Sequence, residues 1–264
     1  MLRNKFVLVI CLFFVSNLIA QPKNLVLGVI DGVSRSTVYP LIQKNKLASI
    51  SNIISDGNYR NLNIVDSETY SSVYQSILDK SDLNSGSLFE KIKSLDPSIT
   101  IGVIFSLPKD LADQDGLFLP MIAEADILET IAYREPIQVE QAIRRVADQL
   151  SPPYVLFVNF PSPLAKGKQY REGAERYSLA LQRVDRSIGR MVTLLKSKDL
   201  AINTEYLFAG STCFEPYTRT EKGCSKSLIF GSQKIRQLGS QFDIQDTALD
   251  LMAFDIEQTR SLLR

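Results

Sequence analysis

The chain has 264 residues, with 30 lysines and arginines against 29 aspartates and glutamates, three cysteines and no histidine. That balance gives no electrostatic case for nucleic acid or for an anionic membrane surface. The absence of histidine excludes every histidine-bearing zinc site and every histidine-dependent triad or acid–base scheme.

Residues 1–20 read as an export signal. Arg3 and Lys5 precede the apolar run Phe6–Val15, and Ala20 offers a small residue before Gln21. The run is short for a membrane span, and the alternative is an uncleaved N-terminal anchor. Residues 21–264 then form a chain of about 244 residues, long enough for one large α/β domain. Without Arg3 and Lys5 it holds 28 basic and 29 acidic residues, scattered along the sequence as on a solvated surface. Cys11 lies inside the signal. The two remaining cysteines, Cys213 and Cys224, are expected to pair in an oxidising compartment. Such a bridge closes a short loop and adds roughly 2–3 kcal/mol by chain entropy.

The elements alternate along the chain. Asn24–Ile30 predicts a buried strand ending at Asp31 and Gly32. Residues 36–56 show apolar residues near helical spacing, including Leu41, Ile42, Leu47, Ile50 and Ile53. A short strand at 59–65, a helix at 70–78 and a helix at 88–94 follow. "TIGVIF" (100–105) is a second buried strand, and 123–131 has a helical pattern. Val139, Ala142, Ile143 and Val146 give the helix 138–149 one apolar face. "YVLFVNF" (154–160) is a third buried strand. The longest helix, 173–198, repeats Tyr177, Leu181, Val184, Ile188, Val192 and Leu195. Strands at 205–209 and 228–230 and a closing helix at 246–254 complete the chain.

Strands that are apolar throughout, separated by helices, predict an α/β protein: a three-layer α/β/α sandwich with a mostly parallel sheet covered on both faces. Ligands in such sheets bind beyond the carboxyl ends of the strands. That directs attention to Asp31, Ser162, Ser211 and Thr212.

Four segments, in order, resemble the alkaline phosphatase superfamily, especially its type I phosphodiesterase/nucleotide pyrophosphatase and sulfatase-like branches. "LVLGVIDG" resembles the first strand, whose aspartate binds metal. "SETYSSVYQSIL" resembles the segment in which a nucleophile precedes a helix. The stretch from "YVLFVNFPSPLAKGKQY" through "VDRSIGRMV" resembles a strand, a metal loop and a long helix. "NTEYLFAGS" resembles the strand leading to a Ser-Asp-His-Gly loop. "FDIQDTALDLMAF" also resembles the family's closing helix. The resemblance implies the alkaline-phosphatase-like fold and hydrolysis of phosphate or sulfate esters. It also implies two divalent metals, typically zinc, that polarise the ester and lower the nucleophile's pKa.

Carried onto this sequence, the resemblance makes Asp31 a metal ligand; the alternative is a strand-end carboxylate serving the backbone. The nucleophile falls on Tyr70 without gaps and on Thr69 with a one-residue shift, and Thr69 also suits a helix N-cap. Ser71 and Ser72 are close by. The metal loop departs from the family's pattern: Leu164 stands where an aspartate is expected and Lys168 where a histidine is expected. Leucine cannot ligate a metal and an ammonium repels one. Lys168, with Lys166, belongs either to a solvated loop or, as an anion-binding group, to a role that replaces the missing metal. Ser211 and Thr212, or Thr212 and Cys213, replace the expected Asp-His pair.

An all-carboxylate magnesium or calcium site would need Asp31 to meet other acids, with Asp66, Glu68, Asp110, Asp113 and Asp115 as candidates by type. No P-loop, dinucleotide fingerprint or C-x-x-C is present. The expectation is an exported protein, periplasmic or secreted, with a degenerate metal site, no cofactor and a binding or accessory role. Its ligand would be a small anion or a protein partner. It would not bind nucleic acid and would have no membrane span after signal cleavage. The alternatives are a metal-dependent ester hydrolase using Asp31 and Thr69, and a scaffold subunit that uses an outer helix face.

Overall fold

The computed structural model describes residues 24–64, 70–78, 86–106, 119–131, 136–214, 226–236, 239–254 and 261–263. The first strand, β1 (Asn24–Ile30), is buried along its whole length and lies inside an eight-stranded sheet. Its parallel neighbours are β5 (Tyr154–Phe160) and β6 (Thr204–Gly210). β3 (Thr100–Ser106) and then β4 (Ile127–Ile131) continue the parallel run beyond β5 to one edge. Beyond β6 the direction changes. β7 (Lys226–Gly231) is antiparallel to both β6 and β2 (Asn58–Asn63), and the short β8 (Gly239–Ser240) closes that side.

Alternate residues of each strand feed two cores. On one face Val26, Ile30, Leu156 and Val158 pack against α1 (Arg35–Gln43), α2 (Ala48–Asp56), α5 (Pro136–Ala147), α6 (Ser162–Tyr170) and α7 (Glu175–Ser197). On the other, Leu25, Leu27, Val29 and Phe157 pack against α3 (Tyr70–Leu78), α4 (Leu88–Leu95) and α8 (Ile244–Leu251). The chain is therefore an α/β protein with a mostly parallel mixed sheet between two helical layers. No helix among the described residues is long and apolar enough to cross a membrane.

Three local expectations are corrected. The stretch 36–56 is two helices, α1 and α2, since α1, which carries Pro40 inside it, ends at Gln43 and Asn45 turns the chain at φ 51. Asp185, from the middle of α7, then accepts hydrogen bonds from the N–H groups of Ser49 (3.2 Å) and Ile50 (2.8 Å) and so caps the fresh N-terminus of α2. Residues 127–131 form strand β4, preceded by one 3-10 turn at Leu119–Ile122. The edge of β3 offers backbone partners that a helix would leave unused. Asp126 secures the start by accepting from the Ile101 N–H (2.7 Å) and from Lys93. Finally, the stretch after Pro161, read as a loop, is helix α6.

Candidate functional site

Asp31 ends β1 and is fully buried. Its carboxylate Oδ1 accepts from the hydroxyl of Tyr74 on α3 at 2.8 Å and from the hydroxyl of Ser211 at the end of β6. Tyr74 is itself fully buried, edge-on to Phe105 with ring centroids 5.2 Å apart. The next residue of β6's extension, Thr212, serves the backbone that follows Asp31. Its Oγ1 accepts from the Gly32 N–H at 2.9 Å, and its carbonyl accepts from the Val33 N–H at 2.9 Å. Gln241, buried near the start of α8, donates to the Ser211 carbonyl. The two hydroxyls standing where an Asp-His pair was expected thus go to Asp31 and to the turn after it.

Gly32 shows why the turn closes so tightly. Its φ is +73, and a Cβ there would lie 2.5 Å from the Leu164 Cα. The first turn of α6 therefore rests directly on the end of β1, and the Leu164 side chain is buried in the core beneath it. Further along α6, Gly167 makes room for the ring of Phe214, which meets Tyr177 edge-on at 6.0 Å. Tyr177 donates to the Gly32 carbonyl at 2.7 Å. Burial pushes its phenol well above the ordinary range, so it remains a neutral donor.

Beside this cluster lies a second buried carboxylate. Glu172, only 1 % exposed, sits between α6 and α7. It accepts from the hydroxyls of Ser34 (2.5 Å), Ser36 (2.8 Å) and Thr37 at the start of α1. The residue before it, Arg171, has φ 76 and ψ 157, a region that side chains rarely enter. An acidic group at a helix N-terminus is electrostatically favourable.

The structure brings Asp31, Ser211 and Thr212 together as expected from their strand-end positions. Ser162 is buried at the first turn of α6 with no hydrogen-bond partner for its hydroxyl. Lys168 lies exposed in the last turn of α6. Tyr70 is the first residue of α3. Thr69, Cys224 and the candidate acids Asp66, Glu68, Asp110, Asp113 and Asp115 fall outside the described residues. Cys213 is buried after β6. Tyr74 and Glu172 were missed in the sequence. Tyr74 falls among the apolar residues of its helix and reads as core; nothing local marks Glu172.

Among the described residues the arrangement does not suit a catalytic zinc pair. Such a pair needs several imidazole or carboxylate donors converging on one space. Here the carboxylate of Asp31 is tied to hydroxyls, and a leucine helix turn covers the approach expected to carry an aspartate. Among the described residues no three cysteine, aspartate or glutamate side chains gather as a metal cluster.

No protein-family model matches the sequence, and no curated protein matches it. Solved structures do. The lipoteichoic acid synthase LtaP from Listeria monocytogenes superposes with a TM-score of 0.67 at 11% identity, covering 93% of this chain and 75% of that one. The C-terminal periplasmic domain of EcEptC from Escherichia coli gives 0.63 at 12% identity, covering 92% and 86%. The alkaline phosphatase from the Antarctic bacterium TAB5 gives 0.59 at 11% identity, covering 89% and 99%. At these identities the likeness concerns the fold, and the fold is alkaline-phosphatase-like.

Proposed function

We propose that this chain is a non-catalytic binding or accessory protein on an alkaline-phosphatase-like fold, with a metal centre that has decayed to hydrogen-bonded hydroxyls. Asp31 is the vestige of the first ligand. The observation that carries the reading is the pairing of Asp31 with Tyr74 and Ser211 in a chain with no histidine. A buried carboxylate that accepts hydroxyl protons is stabilised without a cation. The residues at the other family positions, Leu164 and Lys168, are a core side chain and an exposed cation.

The remaining parts of the proposal rest on the sequence. Residues 1–20 direct export, residues 21–264 are the functional domain, and the compartment is the periplasm or the exterior. The structural neighbours include a domain described as periplasmic, which accords with that reading. Cys213 pairs with Cys224 and pins the loop that a metal organises in active members of the family. Lys168, exposed on α6, is a residual anion-binding group.

Hydrolysis of chromogenic phosphate and sulfate esters is the direct test. The purified protein should show no turnover above that of its own Asp31→Ala variant, with zinc, manganese or magnesium added. Turnover that requires a metal and is lost on Asp31→Ala and Thr69→Ala would replace the proposal with the hydrolase reading, in which Thr69 or Tyr70 is the nucleophile and a divalent metal is the cofactor.

A further inference from the structure

Four arginines line up on one face of α7. Arg176, Arg183, Arg186 and Arg190 are exposed and follow one another at spacings of seven, three and four. At about 100° per residue these positions fall within a stripe roughly 80° wide, and at 1.5 Å per residue the stripe is about 21 Å long. Leu179, 40% exposed, lies in the same stripe. Alongside, α5 contributes Arg144, and the two helices leave a shallow open notch between them. Glu140, Ile143, Arg144, Arg190, Met191 and Leu194 line it.

Part of this charge is already used within the protein. Arg190 pairs with Glu140 at 2.7 Å, and Glu140 also accepts from Ser187. Arg176 lies over the ring of Tyr170 at 4.6 Å. Arg144 and Arg186 are exposed, and neither forms an ion pair among the described residues. The surface is therefore patterned: guanidinium groups, two of them held in place, an interleaved glutamate and a small notch lined by both polar and apolar side chains.

From this pattern we infer that the α5–α7 face is a docking surface for an acidic protein segment, a helix that sets carboxylates against the arginine stripe and one apolar side chain into the notch. Arginine matches carboxylates through two parallel N–H donors, which favours a shaped partner. A lipid surface answers chiefly to the number of basic groups and would draw no benefit from the notch or from Glu140. The inference does not depend on the state of the crevice, which lies at the strand ends and not on this outer face.

The test uses the full chain and a synthetic helical peptide with a central leucine row flanked by glutamates. Binding should be measurable by calorimetry at low salt and weaken as salt rises. It should fall about tenfold in the double variant Arg144→Glu with Arg186→Glu. A peptide with glutamine in place of glutamate should not bind the native protein, and one with lysine should bind the double variant better than the native protein. Both variants sit on exposed positions, so an unchanged urea midpoint verifies that they are folded. Absence of peptide binding, equal binding by native and variant proteins, or capture only by phosphatidylglycerol vesicles each overturns the inference.

Discussion

Asp31 is a carboxylate shut away from water, and such a group persists only where donors surround it. Tyr74 and Ser211 supply two. Replacing Asp31 by alanine strands both hydroxyls in the core and should cost about 3 kcal/mol, read as a lower urea midpoint at unchanged slope. The loss should be the same with a chelator present; a loss seen only when metal is supplied would mark Asp31 as a ligand. Tyr206 is the opposite case. Its hydroxyl is buried with no hydrogen-bond partner among the described residues, and burial pushes its pKa up to about 12. Tyr206→Phe removes an unsatisfied polar group at little change in shape, so it should leave stability equal or raise it by about 1 kcal/mol. A fall of that size would reveal a partner for the hydroxyl. At this scale the sequence was partly legible. Strand-end position is enough to flag Asp31, Ser211 and Thr212. Their donors come from distant elements, and neither Tyr74 nor Glu172 differs in type or spacing from ordinary core and surface residues.

Elements were easier to read where burial was one-sided or complete. β1, β3 and β5 are mostly apolar and lie inside the sheet, and the long helix α7 keeps its apolar stripe on the core. The reading failed where tertiary partners decide. β4 carries Ile127 and Ile131 at helical spacing, yet the open edge of β3 recruits it as a strand. The break between α1 and α2 depends on Asp185, more than a hundred residues away in sequence, which takes two N–H groups of α2. Burial raises the pKa of Asp185 above the ordinary carboxylate value, with the α2 N–H groups acting in the other direction. A raised folded-state value means the folded protein holds this proton more tightly than the unfolded chain. Its contribution is therefore full below the unfolded pKa and is lost as pH rises through the folded one. Asp185→Asn should flatten that acid-side slope in a series of urea titrations. At neutral pH it should cost about 1 kcal/mol through the weaker cap. A variant whose slope matches the native protein would show that Asp185 is already ionised across the range.

For the whole molecule, the comparisons speak to the fold. A sheet of five parallel strands with an antiparallel return, covered on both faces, superposes on a synthase, a transferase domain and an alkaline phosphatase at 9–11% identity. Apolar patterning maintains such a frame with little constraint on individual residues. A metal centre tolerates no such drift, since each ligand must be of a particular type at a particular place. At the strand ends of this chain Asp31 is held by hydroxyl donors, from Tyr74 and Ser211. The outer helical layer meanwhile gathers arginines that the overall charge balance conceals.

Metal content after purification tests this most directly: elemental analysis of the native protein and of Asp31→Ala, each dialysed against dilute zinc and then against metal-free buffer. Both proteins should retain the same trace amount, well below one ion per chain. Two tightly held ions in the native protein, absent from the variant, would contradict the account.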